Sequence, residues 1–205
     1  MGWTINSFLM LSKNYWNNRY LNNEIGWDIG KVSEPIKNWF NHQNDKSKKI
    51  LVPGAGSGHE VGYAHSIGFK NIYYLDYSTL AAHKFKATYP KFPSSQIISC
   101  DFFNLKNFTG FFDVIIEQTF FCAINPSKRE EYINRTYDLL KINGTIIGLL
   151  FDVNFNKESP PFGGNKKDYE MLFHKKFTIL KLEPCYNSIS PREDNELWFS
   201  MKKEK

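Results

Sequence analysis

Residues Ile50–Glu60 read ILVPGAGSGHE, an apolar run that breaks into glycines at positions 54, 56 and 58. Glycine at the end of a strand gives the backbone turns that other residues resist and lets a ligand approach the main chain closely. Such a loop suits a phosphate cradle, a dinucleotide site, another nucleotide-like cofactor, or simply a tight turn. The flanking sequence has to choose among them.

From about residue 48, short β-rich runs alternate with helical patterns. KKILVP (48–53), NIYYLD (71–76), QIISCD (96–101), FFDVIIEQ (111–118) and GTIIGLLF (144–151) read as strands. SGHEVGYAHSIG (57–68) reads as a helix opened by Ser57 and closed by Gly68. STLAAHKFKATY (78–89) starts on a Ser78 cap and stops before Pro90, and a third helix begins near Pro126. Near-continuous apolar strands alternating with helices predict an α/β fold, a mostly parallel doubly wound sheet covered on both faces. KKFTILKLEP (175–184) and NELWFSMKK (195–203) predict a C-terminal antiparallel hairpin at the sheet edge. We expect one domain over residues 1–205, with 1–45 as a helical cover and 46–205 as a Rossmann-like core.

In such sheets ligands bind beyond the carboxyl ends of the strands, where GAGSG sits. No lysine follows these glycines as a P-loop requires, and the third glycine falls one position early for the dinucleotide fingerprint. Asp76 ends the second strand, 22 residues after Gly54, where an acid accepts from ribose hydroxyls. Asp101, in SCDFF at the end of the third strand, is placed to accept from an adenine amino group, with the Phe102 amide donating to the ring. Each residue also has a plain structural use, as a cap or a core ring. Together they fit a single adenosine, and so S-adenosyl-L-methionine better than NAD, because no pyrophosphate is needed.

The bulk numbers narrow the class further. The 205 residues are 41% hydrophobic and 17% aromatic, a globular composition that can supply a ring-lined site. The charge of +5 is dispersed, with KSKK (46–49) and the terminal KKEK as the tight clusters, so no nucleic-acid partner is expected. Three cysteines without a CxxC pair and five scattered histidines predict neither a disulfide framework nor a metal site. No run approaches the ~18 apolar residues of a membrane span, and the first residues lack a signal-peptide layout. A cytoplasmic protein, expected to be monomeric and without a membrane partner, follows.

With these residues in view the chain resembles the thiopurine S-methyltransferase superfamily, most closely its halide/thiol (thiocyanate) methyltransferase branch. The likeness runs over about residues 14–199 and rests on YWNNRYLNNEIGWDIGKVSEP, LVPGAGSGHEV, LDYS, CDFF, FDVIIEQTFFCAINPSKREEY, LLKINGTIIGLLF, PPFGG and SISPR. The resemblance implies a class I methyltransferase fold with an N-terminal helical lid and a transfer from S-adenosylmethionine to a small soft acceptor. It implies that Trp16, Tyr20 and Trp27 form an aromatic lid over the methionine end. Gly54 and Gly56 would belong to the cofactor loop, Asp76 would hold the ribose, and Asp101 and Phe102 the adenine. Glu117 and Gln118 would face the cofactor and the transfer point, with Trp27 and Gln118 among the catalytic residues.

Arg192, in SISPR, is the candidate for steering an anionic acceptor, its alternative being a surface ion pair with Glu193 or Asp194. Phe120 and Phe121 are candidates for the acceptor wall, and Cys122, among apolar neighbours, reads as a buried thiol. Two other readings stay open: an adenosine-cofactor module without turnover, and an NAD-dependent oxidoreductase. Displacement at a sulfonium carbon needs alignment and water exclusion more than acid or base, and alignment alone supplies about 7–11 kcal/mol. Each aromatic face adds about 0.5–2 kcal/mol of attraction for the positive sulfur. The absence of a His–Asp or paired-carboxylate motif agrees with that chemistry.

Overall fold

A computed structural model of the chain describes residues 11–204. Its frame is one seven-stranded sheet of order β3-β2-β1-β4-β5-β7-β6. The strands are β1 (Ile50–Pro53), β2 (Ile72–Asp76), β3 (Ile97–Ser99), β4 (Phe112–Glu117), β5 (Leu140–Phe151), β6 (Thr178–Pro184) and β7 (Glu196–Lys202). The first five run parallel, and β7 lies antiparallel between β5 and β6. The C-terminal hairpin thus extends the sheet at one edge, as its two apolar runs predict.

All four β1 residues are buried, as befits an inner strand covered on both faces. One core layer gathers Leu51, Ile115, Tyr132, Leu140, Phe173 and Phe199; the other gathers Ile36, Val52, Tyr74, Phe85 and Ile147. Neighbouring β1 residues therefore serve opposite faces, which is the period-two rule of a strand applied to an all-apolar run.

The helices are α1 (Lys13–Leu21), α2 (Glu34–Asn41), α3 (His59–Ser66), α4 (Thr79–Thr88), α5 (Arg129–Leu139) and α6 (Lys166–Phe173). Ser78 caps α4 as expected, accepting from the Ala81 amide at 3.0 Å. Ser57 does not cap α3: Gly58 holds that position and the Ser57 hydroxyl is turned to Asp28 instead. β3 is three residues rather than six, because the turn Ser94–Gln96 takes its first residue and Asp101 caps the turn Phe102–Asn104 that follows its end. β5 begins at Leu140, four residues before the predicted start, bending through Asn143 at φ 64°. α6 has no counterpart in the sequence reading. It is a short, charge-rich segment that buries Tyr169 and Phe173 and is capped by Asn165, which accepts from the Asp168 amide at 3.0 Å.

Candidate active site

The loop after β1 is fixed by hydrogen bonds to its neighbour strand. The Gly56 amide donates to Asp76 Oδ2 at 2.8 Å, and the Tyr74 hydroxyl donates to the Gly56 carbonyl at 2.8 Å. Gly54 and Gly56 have φ of 59° and 55°, a region costly for other residues. Space forbids a side chain as well. A Cβ at Gly54 would strike the Phe120 ring, and one at Gly56 would lie 2.6 Å from the Tyr20 hydroxyl. The loop is a bare backbone floor with rings standing on it.

Asp76 sits where β2 ends. Its Oδ1 accepts from the Ser78 amide at 2.7 Å, and its Oδ2 takes the Gly56 amide. A carboxylate accepts about four hydrogen bonds, so both oxygens keep capacity for further donors. Burial pushes the acid up to about 6 despite the backbone donors from Ser78 and Gly56. A buried acid short of donors at the edge of a cavity fits a ligand that supplies hydroxyl groups, as a ribose does.

A cavity of about 730 Å³ opens above this floor. Trp16, Tyr20, Trp27, Gly54, Asp76, Asp101, Phe102 and Arg192 all line it, drawn from both ends of the chain. Asp101 Oδ1 accepts from the Phe103 amide at 3.0 Å, and the Phe102 ring stacks on Tyr132 with centroids 5.4 Å apart. Trp27 meets Trp16 and Tyr20 edge to face at 5.7 and 5.9 Å, a three-ring canopy. Burial holds the Tyr20 hydroxyl in its neutral form, with Asp76 nearby adding to the effect.

Phe120, Phe151, Phe155, Pro160 and Pro161 give the remaining wall an apolar stretch, beside which Asn125, Ser127, Lys128 and Lys157 also line the cavity. The PPFGG segment that supplies the prolines is fastened by Arg129, which donates to the Gly163 carbonyl at 2.7 Å. Cys122 lines the cavity too, its thiol donating to the Thr119 carbonyl at 3.3 Å and pushed up to about 12 by burial and the neighbouring Glu117.

Four expected members lie off the lining: Gly56, Glu117, Gln118 and Phe121, the last buried in the core at 1% exposure. Glu117 is 1% exposed and points into the protein, accepting from the Phe120 and Phe121 amides and the Tyr132 hydroxyl, each at 2.7 Å. Burial pushes it up to about 7. It organises the turn that carries Phe120 and Phe121 and does not line the cavity. Gln118 is also outside the lining, its Oε1 accepting from the Ser33 hydroxyl at 3.4 Å. Thr119, at φ 56°, takes the cavity position beside them. Gly56 lies beneath Tyr20 as part of the floor.

The segment from α1 to α2 is strapped across the cavity. Near its start, Asn17 Oδ1 accepts from the Ser78 hydroxyl at 2.8 Å, and Lys84 Nζ donates to the Tyr20 carbonyl at 2.5 Å. Further along, Asp28 pairs with His59 Nε2 at 2.8 Å and accepts from the Ser57 hydroxyl. The hydrogen bond to His59 leads in holding the Asp28 carboxyl well below its usual range, and reciprocally raises the imidazole. Beyond that, the Ser33 amide donates to buried Glu60 at 3.2 Å. These fastenings are long-range partners with no local sequence signal, and composition alone does not reveal them.

Strand order, glycine loop, strand-end acids and canopy together define a class I methyltransferase. A family model described as thiopurine S-methyltransferase matches residues 11–204, and the chain belongs to that family. It is 29% identical over 174 residues to thiocyanate methyltransferase 1 of Arabidopsis thaliana, covering 83% of this chain and 76% of that protein. It is 25% identical over 181 residues to a thiopurine S-methyltransferase of Vibrio parahaemolyticus, covering 80% and 82%. Among solved structures, the 1,6-didemethyltoxoflavin-N1-methyltransferase of Burkholderia thailandensis, with bound S-adenosylhomocysteine, matches with a TM-score of 0.80 at 13% identity. That match covers 97% of this chain and 89% of that one. Among the described residues no helix is long and apolar enough to cross a membrane, and no cluster of His, Cys, Asp or Glu is arranged to hold a metal ion.

Proposed function

We propose that this chain transfers the methyl group of S-adenosyl-L-methionine to the sulfur or halide of a small soft acceptor, a thiol, thiolate, thiocyanate or halide, leaving S-adenosyl-L-homocysteine. The observation that carries this reading is one cavity lined together by Asp76 and Asp101, by Trp16, Tyr20 and Trp27, by the rings of Phe120, Phe151 and Phe155, and by Arg192. Bound there, the cofactor supplies an electrophilic methyl group on a positively charged sulfur.

The residues then act by holding and drying. Asp76 takes the ribose hydroxyls on its unused lone pairs, while Asp101 and the Phe102 amide take the adenine edge. Trp16, Tyr20 and Trp27 present ring faces that favour a cation, and their bulk excludes water. Phe120, Phe151 and Phe155 strip water from a soft nucleophile, which strengthens its attraction to the positive sulfur. No histidine lines the cavity, and an acceptor that is already anionic needs none. Glu117 and Gln118 serve from behind, Glu117 by shaping the Phe120–Phe121 turn and Gln118 by holding Ser33.

We further infer a monomer acting as one domain over 1–205 in the cytoplasm, with a small-molecule acceptor and without nucleic acid. Three free cysteines and a dispersed charge support that reading. The decisive experiment supplies methyl-labelled S-adenosylmethionine with iodide, thiocyanate, hydrosulfide, methanethiol, an aromatic thiol and 6-mercaptopurine, counting volatile and soluble products separately. Labelled product from the small anions or thiols is expected. Binding of S-adenosylhomocysteine with no labelled product from any acceptor would overturn the transfer.

A further inference from the structure

We propose that Arg192 is the latch of the lid, a positioning residue that ties the Trp27 main chain to the acceptor wall and so couples closure over the cofactor to the acceptor end of the cavity. Its Nη2 donates to the Trp27 carbonyl at 2.7 Å, across 165 residues of sequence. That carbonyl belongs to the ring residue on which both Trp16 and Tyr20 pack, so fixing it fixes the canopy.

The arginine is itself held from three directions. Nη1 bonds Glu196 Oε1 at 3.4 Å, and that carboxyl is 4% exposed at the start of β7. The guanidinium lies 5.7 Å from the Phe151 ring centroid, and Phe151 is the β5 partner of Glu196 in the sheet. The turn Ser190–Arg192 carries it, closed by the Arg192 amide on the Ile189 carbonyl at 2.8 Å. A planar fork with fixed donors suits this three-way junction better than the point charge of a lysine.

The ion pair with Glu196 also changes what Arg192 offers the acceptor. Its charge is offset by a buried carboxylate, so it is not an isolated anion receptor. Two of its five N–H groups are spent on described residues, and the side chain lines the cavity. An anionic acceptor that engages the remaining donors therefore stiffens the same group that grips Trp27. Acceptor and lid meet at one side chain. This rests on the proposed methyl transfer for the identity of the ligands, but the latch itself is a property of the chain alone.

The test compares the parent with Arg192→Gln and Arg192→Lys. Amide hydrogen exchange over residues 13–33 is followed in the ligand-free chain, and S-adenosylhomocysteine affinity is measured by calorimetry. Arg192→Gln is expected to speed exchange at the Trp27 segment and to weaken S-adenosylhomocysteine about tenfold, the scale of one charge-assisted hydrogen bond. Arg192→Lys, which keeps the charge but gathers its donors on one nitrogen and loses the fork, is expected to fall between. If Arg192→Gln does not fold, the lysine variant alone carries the comparison. Unchanged exchange and unchanged affinity, with only the acceptor KM raised, would overturn the latch. Failure of the parent to bind S-adenosylhomocysteine would sink the proposed function, while the exchange data would still decide the latch.

Discussion

The side-chain carbonyl of Asn17 accepts the hydroxyl proton of Ser78 at 2.8 Å, joining the middle of α1 to the N-cap of α4. The same oxygen takes the Leu80 amide at 3.3 Å, and the Ser78 amide in turn donates to Asp76. One side chain of α1 thus completes the cap of the helix that begins beside Asp76. Asn17→Ala should cost about 1 kcal/mol of folding stability, the scale of a lost helix cap. It should also weaken S-adenosylhomocysteine a few-fold. Urea unfolding and calorimetry check both; unchanged affinity would mean the cap and the cofactor site are independent.

Asp76 should make cofactor affinity depend on acid pH. Its folded-state acidity lies at about 6, so below that value the carboxyl gains a proton and loses an acceptor site. Affinity for S-adenosylhomocysteine is expected to fall by up to about tenfold per unit below pH 6. Asp76→Asn should bind about ten- to a hundredfold less tightly at neutral pH, because hydrogen bonds to a charged acceptor are the strong ones. A flat calorimetric pH profile between 5 and 7 would remove Asp76 from the ribose role.

Glu117 should instead appear in the stability profile. Its pKa in the folded state is raised from 4.5 to about 7, so the native chain binds the extra proton. The stabilising contribution is fully present below about pH 4.5 and is lost as the pH rises through 7. Glu117→Gln keeps an acceptor for the Phe120 and Phe121 amides and removes the titration. The variant should show a flatter melting temperature between pH 5 and 8 than the parent, measured by calorimetric scans at matched ionic strength. An equally steep profile in the variant would assign the dependence to another group.

The Asp28–His59 pair predicts the opposite limb of the binding profile. The hydrogen bond to Asp28 raises His59, so the charged pair is intact at low pH and is lost as the pH rises through that raised value. Both side chains are partly exposed, at 24% and 15%, which keeps the effect small. His59→Gln should weaken S-adenosylhomocysteine about two- to fivefold at pH 6, in the range of a screened ion pair. The gap from the parent should narrow by pH 8.5; a gap that widens would contradict the pairing.

Which parts of this were legible from residues alone follows from how local their causes are. β1, β2 and β4 are buried apolar runs and β7 alternates, so pattern alone places them, while β6 buries only Leu182 and is placed by its pairing with β7. Gly54, Asp76 and Asp101 could be placed on the cavity because each lies at or within two residues of a strand's end, and sheet topology gathers strand ends at one edge. The canopy of Trp16, Tyr20 and Trp27 needed a family likeness, since aromatic residues in a helical cover are also ordinary core. Glu117 sits among strand-end acids in sequence, yet the direction of its side chain is set by Tyr132 on α5, a partner no spacing announces. α6 escaped because a segment of eight residues with four charges shows its two buried rings only once β5 and β7 are in place.

Cys122 has a bearing on how the chain survives its own reagent. A thiol that lines a cavity built for an alkyl donor is a standing target, because thiolates are the nucleophiles and thiols are not. Burial pushes the Cys122 thiol up to about 12, which favours its protonated form, and Cys100, also on the lining, is raised in the same direction. The burial that packs the cavity wall therefore doubles as chemical insulation, reserving the methyl group for the incoming guest rather than for the wall itself.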